Sequence, residues 1–184
     1  SRFQIETSKS YAEYEEKLAT RQFHFSLPNP YQTIVSMQHG YRVIAKMIPD
    51  DDFRGLIISR IDKNITSAHD LSGKTLCFPS ATAVAATMLP LLYLQEEQGV
   101  EVKKNIHISY VGSQFSSLLN AYTGDATARG TTVRFWRIWS KENPEKAAQL
   151  KILWKTSPLP HNAFVARADI NPALAQQVAS VLAG

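Results

Sequence analysis

The sequence predicts an α/β fold with mostly parallel sheet. Short apolar or alternating runs recur between helical patterns along nearly the whole chain. Several of these runs empty through small or hydroxyl residues directly into a helix. Neither internal repeats nor low-complexity tracts break the order.

With 184 residues, the chain is long enough to bury a core as one domain or as two small lobes. Its net charge of +4 is spread over scattered Lys and Arg, which excludes a nucleic-acid footprint without repelling an anion. No apolar run approaches the ~20 residues of a membrane helix, and no signal peptide is recognisable. Cys77, the single cysteine, lies in an apolar run and reads as core. It leaves the compartment open.

In chain order, Arg2 to Glu6 alternates like a strand, and Ser10 with Glu13 forms a capping-box pattern before a helix carrying Tyr11, Tyr14 and Leu18. Gln22 to Leu27 alternates as a strand and ends in Asn29-Pro30-Tyr31. A short helix over Gln32 to Gln38 then stops at Gly40. Strands follow at Arg42 to Met47 and Gly55 to Ser59, separated by Pro49-Asp50-Asp51-Asp52. Those aspartates lack calcium-loop spacing and read as a solvated turn. A polar connection over Ile65 to Lys74 leads to the strand Thr75 to Phe78.

A helix is expected from Val84 to Gln98, bent between Ala86 and Leu91 because Pro90 has no N–H and clashes with the preceding turn. Ile106 to Val111 is a strand. The helix after Gly112-Ser113 is expected to turn Phe115, Leu118, Leu119 and Tyr122 inward and to close at Gly124. A short strand at Thr131 to Val133 precedes an aromatic helix around Phe135 to Trp139, and Pro144 opens another helix. Strands at Lys151 to Trp154 and Ala163 to Arg167 flank the stiff loop Ser157 to Asn162. Asn171-Pro172 caps the last helix.

The stretch Phe78 to Thr87 carries the chemistry. A strand that ends in small residues and opens a helix aims unpaired N–H groups and the positive helix end outward, a ready anion site. Ser80 and Thr82 add hydroxyl donors beside the Ala83 N–H. Ordinary N-capping by Ser or Thr fits the same residues. Similar turns occur at Asn29-Pro30-Tyr31 and at Gly112-Ser113-Gln114, and ligands of such sheets sit beyond the carboxyl ends of the strands.

The order Asn29-Pro30-Tyr31, Gly40-Tyr41-Arg42, Gly55-Leu56-Ile57-Ile58 and Asp70-Leu71-Ser72-Gly73-Lys74-Thr75 resembles phosphate/phosphite/phosphonate-binding periplasmic proteins, the solute-binding components of ABC importers. Pro79 to Ala83 is similar to that family's Ser/Thr-rich ligand turn, Gly112-Ser113-Gln114 to its Gly-Ser-His turn, and Ser157 to Asn162 to its proline-rich return. Gln114-Phe115 departs from the family's His-Asp. The run Gly124 to Gly130 with Phe135-Trp136 resembles a divergent branch that supplies extracytoplasmic sensor domains.

The resemblance implies a type II periplasmic-binding fold, two α/β lobes around a ligand cleft, in a chain that looks truncated at both ends. Lobe 1 is expected over 1–58 and 155–184 and lobe 2 over 59–154, with crossings at Gly55 to Ser59 and around Pro158 to Arg167. It further implies a non-enzymatic, extracytoplasmic, monomeric protein without metal or cofactor. Such a protein captures a small oxyanion for a permease or, alternatively, for a signalling domain. The effector domain of a transcription regulator is a third possibility.

The candidate ligand residues are Tyr31, Ser80, Thr82, Ala83, Ser113, Gln114 and His161. Tyr31 fits a lid or a half-buried wall residue, Ser113 a donor or a plain cap, and His161 a cleft or a structural histidine. Arg134 and Arg137 are also possible anion partners. No metal-binding histidine spacing, nucleophile elbow, P-loop or dinucleotide fingerprint is present.

Overall fold

Strands and helices alternate along the chain in a computed structural model that describes residues 3–123 and 125–183. Its contacts separate into two units, residues 1–47 with 161–184 and residues 48–160. The chain therefore passes between units at 47/48 and 160/161. β3 (Gly55–Arg60) is laddered on both sides to strands of the second unit, which keeps it within that unit.

In the first unit, β8 (Ala163–Arg167) lies between β1 (Phe25–Ser26) and β2 (Tyr41–Lys46), antiparallel to both. The Phe23/Phe25/Leu27 alternation predicts a longer first strand. Only two residues pair, because the Gln22 N–H is still bonded to Lys17 O in the turn before the strand, and Pro28 and Pro30, which offer no ladder donors, close its other end. Residues 3–8 form no strand, and Phe3 and Ile5 are exposed. Their alternation had no sheet face to serve.

α1 (Tyr11–Ala19) starts where Ser10 Oγ accepts the Glu13 N–H at 3.2 Å. α2 (Pro30–Gln38) starts at a full capping box, with Asn29 Oδ1 and Gln32 Oε1 each accepting the other's N–H at 2.9 and 3.1 Å. α8 (Pro172–Ala183) follows Asn171, whose Oδ1 accepts the Ala173 N–H. Leu18, Tyr41 and Val165 form the core with Tyr14 and Phe23 against them. Burial pushes the Tyr14 hydroxyl up to about 12, and it sits 2.6 Å from Ser26 Oγ.

The second unit carries a five-stranded sheet in the order β5 (Ile106–Tyr110), β4 (Lys74–Phe78), β6 (Ala128–Thr132), β3, β7 (Leu150–Lys155). β4 runs parallel to β5 and β6, whereas β3 is antiparallel to β6 and β7. The expectation of mostly parallel sheets is corrected here. The sheet is mixed, and its parallel part is confined to β5-β4-β6.

Ile57, Leu76, Phe78 and Ala128 belong to one buried cluster, Leu56, Ile58, Leu118 and Trp139 to another. β3 thus buries both of its faces, as its unbroken apolar run requires.

α5 (Gln114–Thr123) buries Ser117, Leu118 and Ala121. Phe115 and Leu119, expected inward, are exposed, because a face spaced three and four apart from Gln114 wins over the more apolar one. The expected closure at Gly124 lies outside the described residues. α6 (Val133–Glu142) begins at Thr132, and α7 (Pro144–Ala147) follows it. The acidic turn is paired: Asp51 meets Arg54, and Asp52 meets Arg137.

The expected continuous helix from Val84 is two pieces. Val84–Met88 is a π segment, and α3 (Leu89–Glu96) follows with Pro90 in its first turn. The Ala83 carbonyl accepts the N–H groups of both Thr87 and Met88, at 2.9 and 3.1 Å, and Val84 O accepts that of Leu89. Pro90 has no N–H to offer the carbonyl four residues back, and the wider π ring absorbs that loss before the α-helix begins.

The Ala85 and Ala86 carbonyls then press on the sheet at its two glycines. A Cβ at Gly55 would overlap Ala85 O and stand 2.7 Å from Pro90 Cδ. One at Gly130 would overlap Ala86 O and the Phe78 ring. No L side chain fits under this segment.

Gly130→Ala is therefore expected to lower stability by about 2–3 kcal/mol in urea denaturation, since backbone rather than a movable side chain must yield. An effect below ~0.5 kcal/mol, the range of a neutral surface change, would contradict the close approach.

Asp70 anchors the connection into β4. Its carboxylate accepts the Ser67 and Thr66 N–H groups at 2.8 and 2.9 Å and the Thr66 hydroxyl at 3.0 Å, and these bonds hold it down to about 2. A carboxyl depressed in the folded state adds stability above its unfolded value near 4 and loses it as pH falls through about 2. Asp70→Asn should melt below the parent at neutral pH, and the gap should close near pH 2. A pH-independent gap would show that the carboxylate's charge is irrelevant there.

Candidate functional site

In the second unit the carboxyl ends of β5, β4 and β6 lie side by side. The register sets Phe78 level with Tyr110, and Cys77 level with Arg129. Each strand runs through hydroxyl residues toward a helix. Two backbone bonds join the first two turns: Phe78 O accepts the Val111 N–H at 3.0 Å, and Pro79 O accepts the Gly112 N–H at 2.8 Å. Gly112 sits at φ +86°, a conformation that lets the second turn double back on the first.

The β4 turn is braced by its own hydroxyls. Ser80 Oγ lies 3.0 Å from Thr82 Oγ1 and accepts the Thr82 N–H at 3.3 Å. The Ala83 N–H donates to Ser80 O at 3.2 Å, so in this conformation it closes the turn instead of projecting outward. Ser80 and Thr82 are partly exposed and Ala83 is buried.

At the β5 turn, Ser113 caps α5. Its Oγ accepts the Ser116 N–H at 3.1 Å and donates to Ser116 Oγ at 3.0 Å. Gln114 reaches across to β6, where its Oε1 accepts from the Thr131 hydroxyl, the Thr132 N–H and the Thr132 hydroxyl at 3.2–3.3 Å. A helix-start side chain turned to solvent would make none of these bonds. Thr132 Oγ1 also accepts the Phe135 N–H at 3.1 Å and caps α6.

The structure thus brings together Ser80, Thr82, Ala83, Ser113 and Gln114. It adds Thr131 and Thr132, which the sequence reading did not single out. The signal was there, since two threonines directly before an aromatic helical run form an N-cap pattern.

Tyr31 and His161 belong to the first unit. Tyr31 is in the first turn of α2 and 42% exposed. His161 is buried, and its Nδ1 accepts the Asn162 N–H at 2.7 Å. Arg137 is held by the Asp52 carboxylate, and Arg134 is exposed. Among the described residues no three His, Cys, Asp or Glu side chains are grouped to hold a metal ion, and no helix is long and apolar enough to cross a membrane.

Chemically, the assembled turns offer neutral donors in a small space. Hydroxyls and backbone N–H groups stand at the positive ends of helices, an arrangement suited to hydrogen-bonding oxyanion oxygens.

Comparison with curated protein sequences returns no match. Solved structures do share the fold. PhnD1 from Prochlorococcus marinus, in complex with methylphosphonate, superposes with a TM-score of 0.84 at 17% identity, over 95% of this chain and 69% of that one. A binding-protein component of an ABC phosphonate transporter from Pseudomonas aeruginosa gives 0.72 at 17% identity, over 93% and 59%. The periplasmic domain of B. pertussis BvgS gives 0.62 at 16% identity, over 99% of this chain and 32% of that one. A family profile described as "ABC transporter, phosphonate, periplasmic substrate-binding protein" matches residues 1–184, and the chain belongs to that family.

Proposed function

We propose that this chain captures a small oxyanion of the phosphonate or phosphate class outside the cytoplasm and presents it to an ABC transporter permease. The observation that carries the reading is the convergence of three hydroxyl-bearing strand ends, β4, β5 and β6, at one edge of the second unit. Ser80 and Thr82 supply the principal donors, and Ser113 and Gln114 flank them. Tyr31 and His161 are further proposed ligand residues, each described within the first unit, and Ala83 shapes the turn. The role is binding, without catalysis or a cofactor, in a monomer.

A second reading has one observation behind it. The BvgS periplasmic domain covers 99% of this chain but is about three times as long, with 32% of it matched. Within a longer membrane protein the same module would report ligand binding to a signalling domain.

Charge-assisted hydrogen bonds of the proposed kind contribute on the order of 1.5–3 kcal/mol each. Thr82→Ala should therefore weaken binding of methylphosphonate or inorganic phosphate by roughly one to two decades in calorimetry, at ~1.4 kcal/mol per decade. The melting temperature of the free protein should change little. A variant that binds as tightly as the parent, or that unfolds, would show the turn to be an ordinary helix cap.

A further inference from the structure

Arg129 is the most deeply buried cation in the second unit, at 2% exposure on β6. The register sets it between Cys77 on β4 and Ile58 on β3, both buried. Its Nε and Nη2 have no hydrogen-bond partner. The Asp125 carboxylate, four residues upstream, is exposed and accepts from the Thr123 hydroxyl. Burial draws the guanidinium below its ordinary value, with the Cys77 thiol and Asp125 acting in the opposite sense. Arginine nevertheless keeps its proton in proteins, so the free chain carries a buried, incompletely compensated positive charge.

That charge lies close to the proposed anion site. Ser80 is three residues beyond Cys77, at most about 10 Å of extended chain. Gln114 is bonded to Thr131, two residues past Arg129 on the same face of β6. Across protein interior, a unit charge at that range acts far more strongly than across salt water.

We infer that Arg129 is the buried counter-charge for a bound oxyanion, incompletely compensated in the empty protein and balanced when the turns at Ser80 and Ser113 are occupied. This rests on the anion-binding reading above and adds a residue and a selectivity to it. The neutral turns supply the hydrogen bonds, and Arg129 supplies the preference for negative, especially doubly negative, ligands. It also makes the empty protein less stable than its packing would allow.

The test uses Arg129→Met and Arg129→Gln, with inorganic phosphate and methylphosphonate as probes. Free Arg129→Met should melt about 2–4 °C or more above the parent, because an apolar group replaces an incompletely compensated buried charge. Both variants should bind the probes about tenfold or more weakly. The loss should persist from 0.1 to 0.5 M NaCl, since a buried charge is poorly screened. Lower melting, failure to fold, unchanged affinity, or a loss that disappears in salt would each overturn the inference. If the unaltered protein binds neither anion, the anion-binding reading itself fails. Tight binding by the parent and equal binding by both variants removes only the role of Arg129.

Discussion

The contact of the Ala85 and Ala86 carbonyls with Gly55 and Gly130 is the constraint on which the second unit is arranged. Pro90 denies the Ala86 carbonyl its usual helical partner, the Leu89 N–H bonds Val84 O instead of Ala85 O, and both freed carbonyls of the π segment face the sheet. Only strands without side chains at those two points can lie beneath it. The glycines belong to β3 and β6, which are paired with each other, so one close approach seats the segment across two strands. The position of the Ser80–Ala83 turn follows, because that turn is the lead-in to the segment and is tied by Phe78 and Pro79 to the β5 turn.

Much of this was legible in the residues. The strands at 42–47, 55–59, 75–78 and 163–167 stand within a residue or two of their expected limits, because short apolar or alternating runs bounded by polar turns admit few other structures. The helix starts at Ser10, Ser113 and Asn171 were marked by side chains that satisfy free N–H groups, whereas the helix expected from Gln32 begins two residues earlier, at Pro30 behind the Asn29 cap.

What escaped depended on tertiary partners. The alternation of Phe3 and Ile5 has no neighbouring strand to pair with, and Phe115 yields the inner face of α5 to Ser117 and Ala121. Strand direction also lay beyond local pattern: β3 reads like any buried strand, and only its pairing makes it antiparallel. In the candidate site, the turns at Ser80 and Ser113 were recognisable from composition. The third, at Thr132, carried an N-cap pattern that went unused, since β6 is made of small and polar residues and only its end, from Thr131, reads as strand. Arg129 hides in the same run, and its burial follows from a place in the middle of the sheet that no spacing announces.

On the proposed anion-binding reading, the second unit separates two electrostatic tasks. Geometry and short-range hydrogen bonding are assigned to neutral groups, which keep the turns ordered by bonding one another when no ligand is present. Net attraction is assigned to a charge held within the sheet, beyond the reach of ordinary salt screening. Such a division keeps a small site free of bulky arginine or lysine side chains and still biases it toward anions.

Amide chemical-shift mapping of the full chain during titration with methylphosphonate tests the central claim most directly. The account predicts saturable shifts concentrated at residues 80–84, 112–116 and 131–133. Saturable binding whose largest shifts lie elsewhere, with these three turns unmoved, would contradict it.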